Sequence, residues 1–187
     1  MRKILILMCG VPASGKSTVA NNLAQHFEEQ KAVVISMDAI REKWFGTRKC
    51  QDRGDEVYAQ SVDDILSAFE SCDVVIYDAT NRTRKARRKL VETIYKYYDC
   101  AVYCVFMDTP LEVALDRNAN RDESIQVPPA VIHRMFDTLE TPREENEEYF
   151  DRVFKITPKT LDTYGDMWYN ILTKQMAIIP PKRYNYV

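Results

Sequence analysis

Five short apolar runs punctuate the chain: Ile4 to Cys9, Ala32 to Ser36, Asp73 to Tyr77, Ala101 to Met107 and Arg152 to Ile156. They are nearly continuous and rich in Val and Ile, the pattern of strands buried on both faces. Between them, apolar residues recur at helical spacing. Val19, Leu23 and Phe27 form one stripe, and Val62, Ile65, Leu66 and Phe69 a second. Leu90, Val91, Ile94 and Tyr98 form a third, and Ile132, Met135, Phe136 and Leu139 a fourth. This alternation predicts an α/β fold, a parallel sheet with helices on both faces. Right-handed crossovers then bring every strand's carboxyl end to one edge, where ligands bind.

Residues 1–157 are expected to form this domain. Residues 158–187 are expected to add a helix, with Leu161, Tyr164, Trp168, Ile171 and Leu172 at helical spacing despite Gly165, and a tail, AIIPPKRYNYV. That helix would pack on the domain or on a second subunit, with Arg183, Tyr184 and Tyr186 a candidate nucleic-acid contact. The acidic run REENEEYFD, residues 143 to 151, reads most simply as a solvated helix surface.

Composition narrows the picture. A chain of 187 residues, 45% hydrophobic and 29% charged, suits one domain with a single core. A formal charge of −2 excludes a global positive field that would recruit nucleic acid, but not a local patch. Five cysteines without a CxxC pair read as buried, reduced thiols. The apolar run after Arg2 and Lys3 is about six residues, shorter than a signal peptide's core of roughly 7–15. No stretch approaches the ~20 apolar residues that span a membrane. The expectation is a cytoplasmic chain with no membrane partner.

Candidate chemistry starts at GVPASGKST, residues 10 to 18, between the first strand and the first helix. Gly10, Gly15, Lys16 and Ser17 fit GxxxxGK[ST] in the context that motif requires. The glycines let backbone N–H groups converge on phosphate oxygens, and the helix start adds free N–H groups and a partial positive charge. Gly10, Ala13, Ser14, Gly15, Lys16, Ser17 and Thr18 are thus candidate triphosphate ligands. Ser17 is also a candidate Mg²⁺ ligand.

Further residues sit at the same predicted edge. In ISMDAIR, Asp38 is a candidate base for an acceptor hydroxyl or, equally, a helix cap. VVIYDATN closes on Asp78, a candidate Mg²⁺ ligand, directly or through water, or else a structural carboxylate bonding loop N–H groups. In LDRNANR, Arg117 and Arg121 are four apart on one helix face and suit a lid near residues 117–128, or else surface salt bridges. RTRKARRK, residues 82 to 89, carries six positive residues in eight and is a candidate polyanion path or a solvated face. Arg87 alone lies on the side of Leu90, Val91 and Ile94, aimed at a substrate cleft or lying along the sheet rim. His26 and His133 read as surface residues.

GVPASGKST, SMDAIR, VVIYDATNRTRKARR, LDRNANR and VPPAVIHRM occur in the order and approximate spacing of P-loop kinases of the polynucleotide kinase family, and the chain resembles them over about residues 3 to 157. The resemblance implies a five-stranded parallel sheet of the nucleoside-kinase type, with ATP and Mg²⁺ as cofactors and 5′-hydroxyl ends of DNA or RNA as acceptors. It implies Asp38 as general base, Lys16 and Arg121 on the transferring phosphate, and Arg117 near the donor nucleotide. Arg41 would take the acceptor's neighbouring phosphate, with Thr80, Asn81 and Arg87 as further acceptor contacts. A small-molecule kinase acting on a nucleoside, sugar or antibiotic hydroxyl is the rival reading. A nucleotide-dependent switch is the third, against which Asp38 counts.

Overall fold

The structure, a computed structural model, describes residues 2–27, 30–50, 52–144 and 148–178. Strands β1 (Lys3–Cys9), β2 (Ala32–Ser36), β3 (Val74–Asp78), β4 (Cys100–Met107) and β5 (Arg152–Ile156) form one parallel sheet in the order β2-β3-β1-β4-β5. The expected strands stand within one residue of these bounds. β3 and β4 are buried throughout and β1 nearly so, whereas β2 and β5, at the edges, are half-exposed.

Side-chain alternation along β1 divides the core. Ile4, Ile6 and Met8 pack with Val19, Ala20 and Leu23 of α1 (Lys16–Gln25). Leu5, Leu7 and Cys9 face the opposite layer, α3 (Gly54–Ser71) and α4 (Arg84–Tyr95), through Val62, Ile65, Leu90, Val91 and Ile94. Two helices, α5 (Leu111–Ala119) and α6 (Pro129–Asp137), sit over the loop after β1, where Ala114 and Ile132 close on Val11. The stripe expected on α6 buries only Ile132 fully, and Phe136 is exposed. All five cysteines are free, four of them buried.

The last helix, α7 (Pro158–Ile178), bends at Gly165, whose φ of 45° and ψ of −130° no helix accommodates. Beyond the bend Tyr169, Leu172 and Met176 enter the core against α1 and β4, and the Tyr103 hydroxyl donates to the Met176 carbonyl at 2.8 Å. Tyr164 and Ile171 of the expected stripe are instead exposed: the bend separates Tyr164 from the segment that docks, and that segment turns Tyr169, Leu172 and Met176 inward. The tail residues Arg183, Tyr184 and Tyr186 lie outside the described residues.

Residues 143–151 correct a second expectation. The described part of that run is irregular chain, with Glu148, Phe150 and Asp151 buried. Asp151 accepts the Val102 N–H at 2.8 Å, and Glu148 accepts from Arg87 Nε at 2.5 Å. Arg87 is wholly buried, so it neither reaches a cleft nor lies along the rim. Its Nη1 donates to the carbonyls of Asn81 (2.9 Å) and Glu140 (2.8 Å), cross-linking α4, the loop after β3 and the segment before β5.

A buried guanidinium stripped of its carboxylate is strongly destabilising. Glu148→Ala should lower the unfolding free energy by about 3–5 kcal/mol, read from urea midpoints. Arg87→Met with Glu148→Ala should cost less than the sum of the single changes. A loss for Glu148→Ala under about 1 kcal/mol, the scale of a surface pair, would refute the role.

Candidate active site

The loop between β1 and α1 is shaped by backbone conformations that few side chains permit. Gly10 has φ 149°, and a Cβ there would stand 2.9 Å from Ser14 Oγ and 3.1 Å from the Met107 carbonyl. Ala13 takes φ 61° and Gly15 φ 98°. α1 starts without a side-chain cap, leaving the N–H groups of Lys16, Ser17 and Thr18 without intrahelical acceptors. Ser14 Oγ is buried with no hydrogen-bond partner. A cradle of free donors at a helix start fits a triphosphate.

Lys16 extends within this cradle, its Nζ donating to the Val11 carbonyl at 2.7 Å. Burial pushes its pKa down, opposed by the negative charge of Asp78, Cys9 and Asp38. Ser17 Oγ donates to Asp78 Oδ2 at 2.6 Å, so the two expected metal-side residues meet. Hydroxyl and carboxylate oxygens suit Mg²⁺, which keeps several waters and phosphate oxygens in its shell. Among the described residues no group of three or more His, Cys, Asp or Glu side chains is placed to hold a metal by itself.

Asp38 stands in the first turn of α2 (Met37–Phe45), but the cap is Ser36, whose Oγ accepts the Ala39 N–H. That removes the capping alternative. Asp38 is exposed, and its Oδ1 accepts from Arg41 Nη1 at 2.8 Å. Its negative charge favours the charged forms of both Lys16 and Arg121, against the desolvation that lowers their pKa values. Arg41 is buried, and its Nε lacks a partner.

Arg117 Nη1 donates to the Ser14 carbonyl at 3.3 Å, beside Gly15. Arg121 is half-buried, and desolvation lowers its pKa, with Asp38 opposing and Arg48 adding to the fall. Asn118 braces the turn between them, donating from Nδ2 to the Val127 carbonyl and accepting the Val127 N–H.

The loop after β3 behaves differently from expectation. Asn81 is buried at φ 45° and donates from Nδ2 to the Met8 carbonyl at 2.6 Å, and the Thr80 carbonyl accepts the Gly10 N–H at 3.1 Å. Asn81's amide nitrogen and Arg87's Nε and Nη1 are therefore engaged by the protein itself rather than offered to an acceptor, while Arg87 Nη2 is buried without a partner. The basic run is also partly paired: Arg88 bonds Glu92 at 3.1 Å, and Arg84 lies 3.8 Å from Glu148. His133 is exposed as expected, whereas His26 is half-buried and stacks on Tyr169.

Two residues escaped the sequence reading. Thr109 Oγ1 donates to the Ser14 carbonyl at 3.1 Å, and Lys49 Nζ donates to the Glu123 carbonyl at 2.8 Å, tying the segment after α2 to the one after α5. Thr109 was legible only as the residue after the acidic end of the fourth strand, and Lys49 carried no signal.

The folded chain holds the Lys16 ammonium less readily than the unfolded chain does. Its cost to stability is full below the lowered pKa and fades as pH rises toward the ordinary lysine value of 10.5. Lys16→Met should therefore raise the Tm of the nucleotide-free protein at neutral pH, by less as pH increases. It should also abolish the stabilisation by MgATP, about 2.7 kcal/mol for the parent at a hundredfold excess over Kd. An undiminished MgATP shift in the variant would overturn this placement of Lys16.

Comparison with known proteins agrees with this geometry. Residues 5–142 match the family described as AAA domain. A protein of Autographa californica nuclear polyhedrosis virus, assigned as a bifunctional polynucleotide kinase/RNA ligase, is 26% identical over 165 residues, covering 79% of this chain. The chain spans only 22% of that relative's length. Chaetomium thermophilum Kti12, solved with ADP-AlF3, superposes with a TM-score of 0.73 at 16% identity over 94% of this chain and 98% of its own. A gluconokinase from Sinorhizobium meliloti does so with a TM-score of 0.59 at 20% identity over 92% of each. With a five-stranded parallel sheet and a phosphate-binding loop at its carboxyl edge, the chain belongs to the AAA-domain family and has the fold of a P-loop kinase.

Proposed function

We propose that this protein transfers the γ-phosphate of ATP to the 5′-hydroxyl of DNA or RNA. The observation that carries the reading is the Asp38 carboxylate, solvent-facing, held by Arg41 and within the field of Lys16 and Arg121. A switch that only hydrolyses nucleotide has no use for such a group, whereas a kinase needs a base beside the incoming hydroxyl. The viral relative, a polynucleotide kinase by assignment, supports the choice of acceptor.

In this reading Asp38 takes the proton of the attacking hydroxyl. Arg41 holds the phosphate adjacent to that hydroxyl, and Thr80 lines the same side of the cleft. Lys16 and Arg121 neutralise charge as it moves onto the transferring oxygens. Arg117 orients the donor from residues 117–128, which act as the lid. Ser17 and Asp78 would hold Mg²⁺, which would neutralise charge on the triphosphate.

One observation favours a small acceptor instead. With Arg87 buried on Glu148 and Arg88 bonded to Glu92, the basic run offers a long polyanion fewer of its six cations than the sequence suggests. The same assay separates the readings: label transfer from γ-labelled ATP to 5′-hydroxyl oligonucleotides, nucleosides and sugars. Oligonucleotides should be labelled, with binding weakening as salt rises. Asp38→Asn should lower kcat about 10²–10⁴-fold while nucleotide binding persists. Labelling of a sugar or nucleoside with none of any oligonucleotide would establish the small-molecule kinase.

A further inference from the structure

Helix α2 starts at the Asp38–Arg41 pair and ends on two aromatic residues, Trp44 and Phe45. Trp44 is 41% exposed, and among the described large apolar side chains left exposed it alone shares a helix with Asp38 and Arg41. Three residues separate it from Arg41, as three separate Arg41 from Asp38, so each pair occupies neighbouring positions on the helix surface. Along the axis the steps are about 4.5 Å each. The helix thus presents, in order, a carboxylate, a guanidinium whose Nε is unpartnered, and a part-exposed indole.

The far end of α2 is braced. Gly46 closes the helix at φ 67°, with its N–H on the Glu42 carbonyl at 2.9 Å. Arg48 then bonds back to Glu42 at 2.7 Å, and Arg53, itself bonded to Glu56, sits 5.1 Å over the Phe45 ring. Phe45 meets Trp44 at right angles, the ring centres 6.0 Å apart. The Arg53 cation is therefore taken by Phe45, and among the described residues no cation stands over Trp44. Lys49 Nζ on the Glu123 carbonyl sets this return segment against the 117–128 stretch, so the end of α2 stays on the side of the cleft.

Charge selects what the indole meets. Residues 38 to 53 carry five cations and three carboxylates, in a chain whose net charge is −2. Lys43, next to Trp44, is exposed. Positive ground around an accessible aromatic ring is the combination that binds single-stranded nucleic acid, with phosphates on the cations and bases on the ring. An acidic peptide would satisfy the cations but leave the flat ring unused. We propose that Trp44 stacks a nucleobase of the acceptor strand, the one on the 3′ side of the phosphate held by Arg41. This rests on the nucleic-acid reading above and deepens it. Carboxylate, guanidinium and indole follow one another along α2 as 5′-hydroxyl, first phosphate and second base follow one another along the strand. The acceptor is then at least two nucleotides long and unpaired at its second base.

The test compares two acceptors with labelled ATP: a 5′-hydroxyl dinucleotide and the same molecule abasic at the second position. In the wild type the base should raise kcat/KM about tenfold, the order expected from stacking one base on an aromatic ring. That ratio should fall to near one in Trp44→Ala and be largely kept in Trp44→Phe, which retains a flat ring. A readout without turnover uses Trp168→Phe, which leaves Trp44 as the only one of the chain's two indoles. Its fluorescence should be quenched at saturation by the dinucleotide and much less by the abasic form. A ratio near one in the wild type, a tenfold ratio that survives Trp44→Ala, or equal quenching by the two acceptors overturns the subsite while leaving the kinase reading standing. No transfer to either acceptor overturns the nucleic-acid reading and the subsite with it.

Discussion

Two hydrogen bonds between the ends of neighbouring strands set the geometry of the site. The Gly10 N–H reaches the Thr80 carbonyl, and the Asn81 side chain reaches the Met8 carbonyl. β1 and β3 are already paired in register from Ile4 with Val74 to Leu7 with Tyr77, but a ladder alone does not align the loops that leave it. These bonds carry the alignment past the strand ends, so that α1 starts with Ser17 within bonding distance of Asp78. Asn81 does this from a positive φ, a conformation tolerated here because its surroundings over-determine it. Arg87 supplies much of that surrounding structure by gripping the Asn81 carbonyl, and Glu148 keeps Arg87 compensated. A buried ion pair thus fixes the loop that brings Asp78 to Ser17.

The cations at the site are arranged in the opposite way. Lys16 and Arg121 are both disfavoured by desolvation, and Lys16 spends its nearest bond on a loop carbonyl rather than a carboxylate. Such groups are destabilising until an anion arrives, and need little reorganisation when it does. Ser14 Oγ, buried without a partner, adds a neutral donor to the same waiting set. Stability is therefore drawn from the α4 side and from the docking of α7, while the phosphate side carries the unmet demand.

What the sequence made legible follows from this division. The strands were legible because β1, β3 and β4 are buried on both faces, so their apolar runs are nearly unbroken. Lys16, Ser17, Asp38 and Asp78 were legible as candidates because each lies at a strand end or helix start that the pattern already marked, and Arg117 and Arg121 because they flank the end of α5. Arg87 was not, since its meaning depends on Glu148, 61 residues away in a run that looks merely acidic. The signal existed in two halves: an arginine on an apolar helix face, and a carboxylate next to Tyr149 and Phe150 with no helical period. The bend at Gly165 hid the true inward face of α7 in the same way. A backbone angle there decides which residues align.

The pairing of Asp38 with Arg41 bears on the choice of acceptor. Arg41 is buried with one nitrogen on Asp38 and its Nε unsatisfied, an arrangement that costs free energy while no anion is bound. In the proposed reading, a neutral hydroxyl acceptor leaves that cost in place, and leaves the guanidinium bonded to the carboxylate assigned to accept the proton. An acceptor with a phosphate beside its hydroxyl changes both terms. On the proposed acceptor, the phosphate would draw the guanidinium into charge-assisted bonds, satisfy Nε, and weaken the hold on Asp38 as the hydroxyl arrives. Binding energy from a non-reacting part of the acceptor would then free the base, the coupling by which an enzyme favours one acceptor class without touching its reacting atoms.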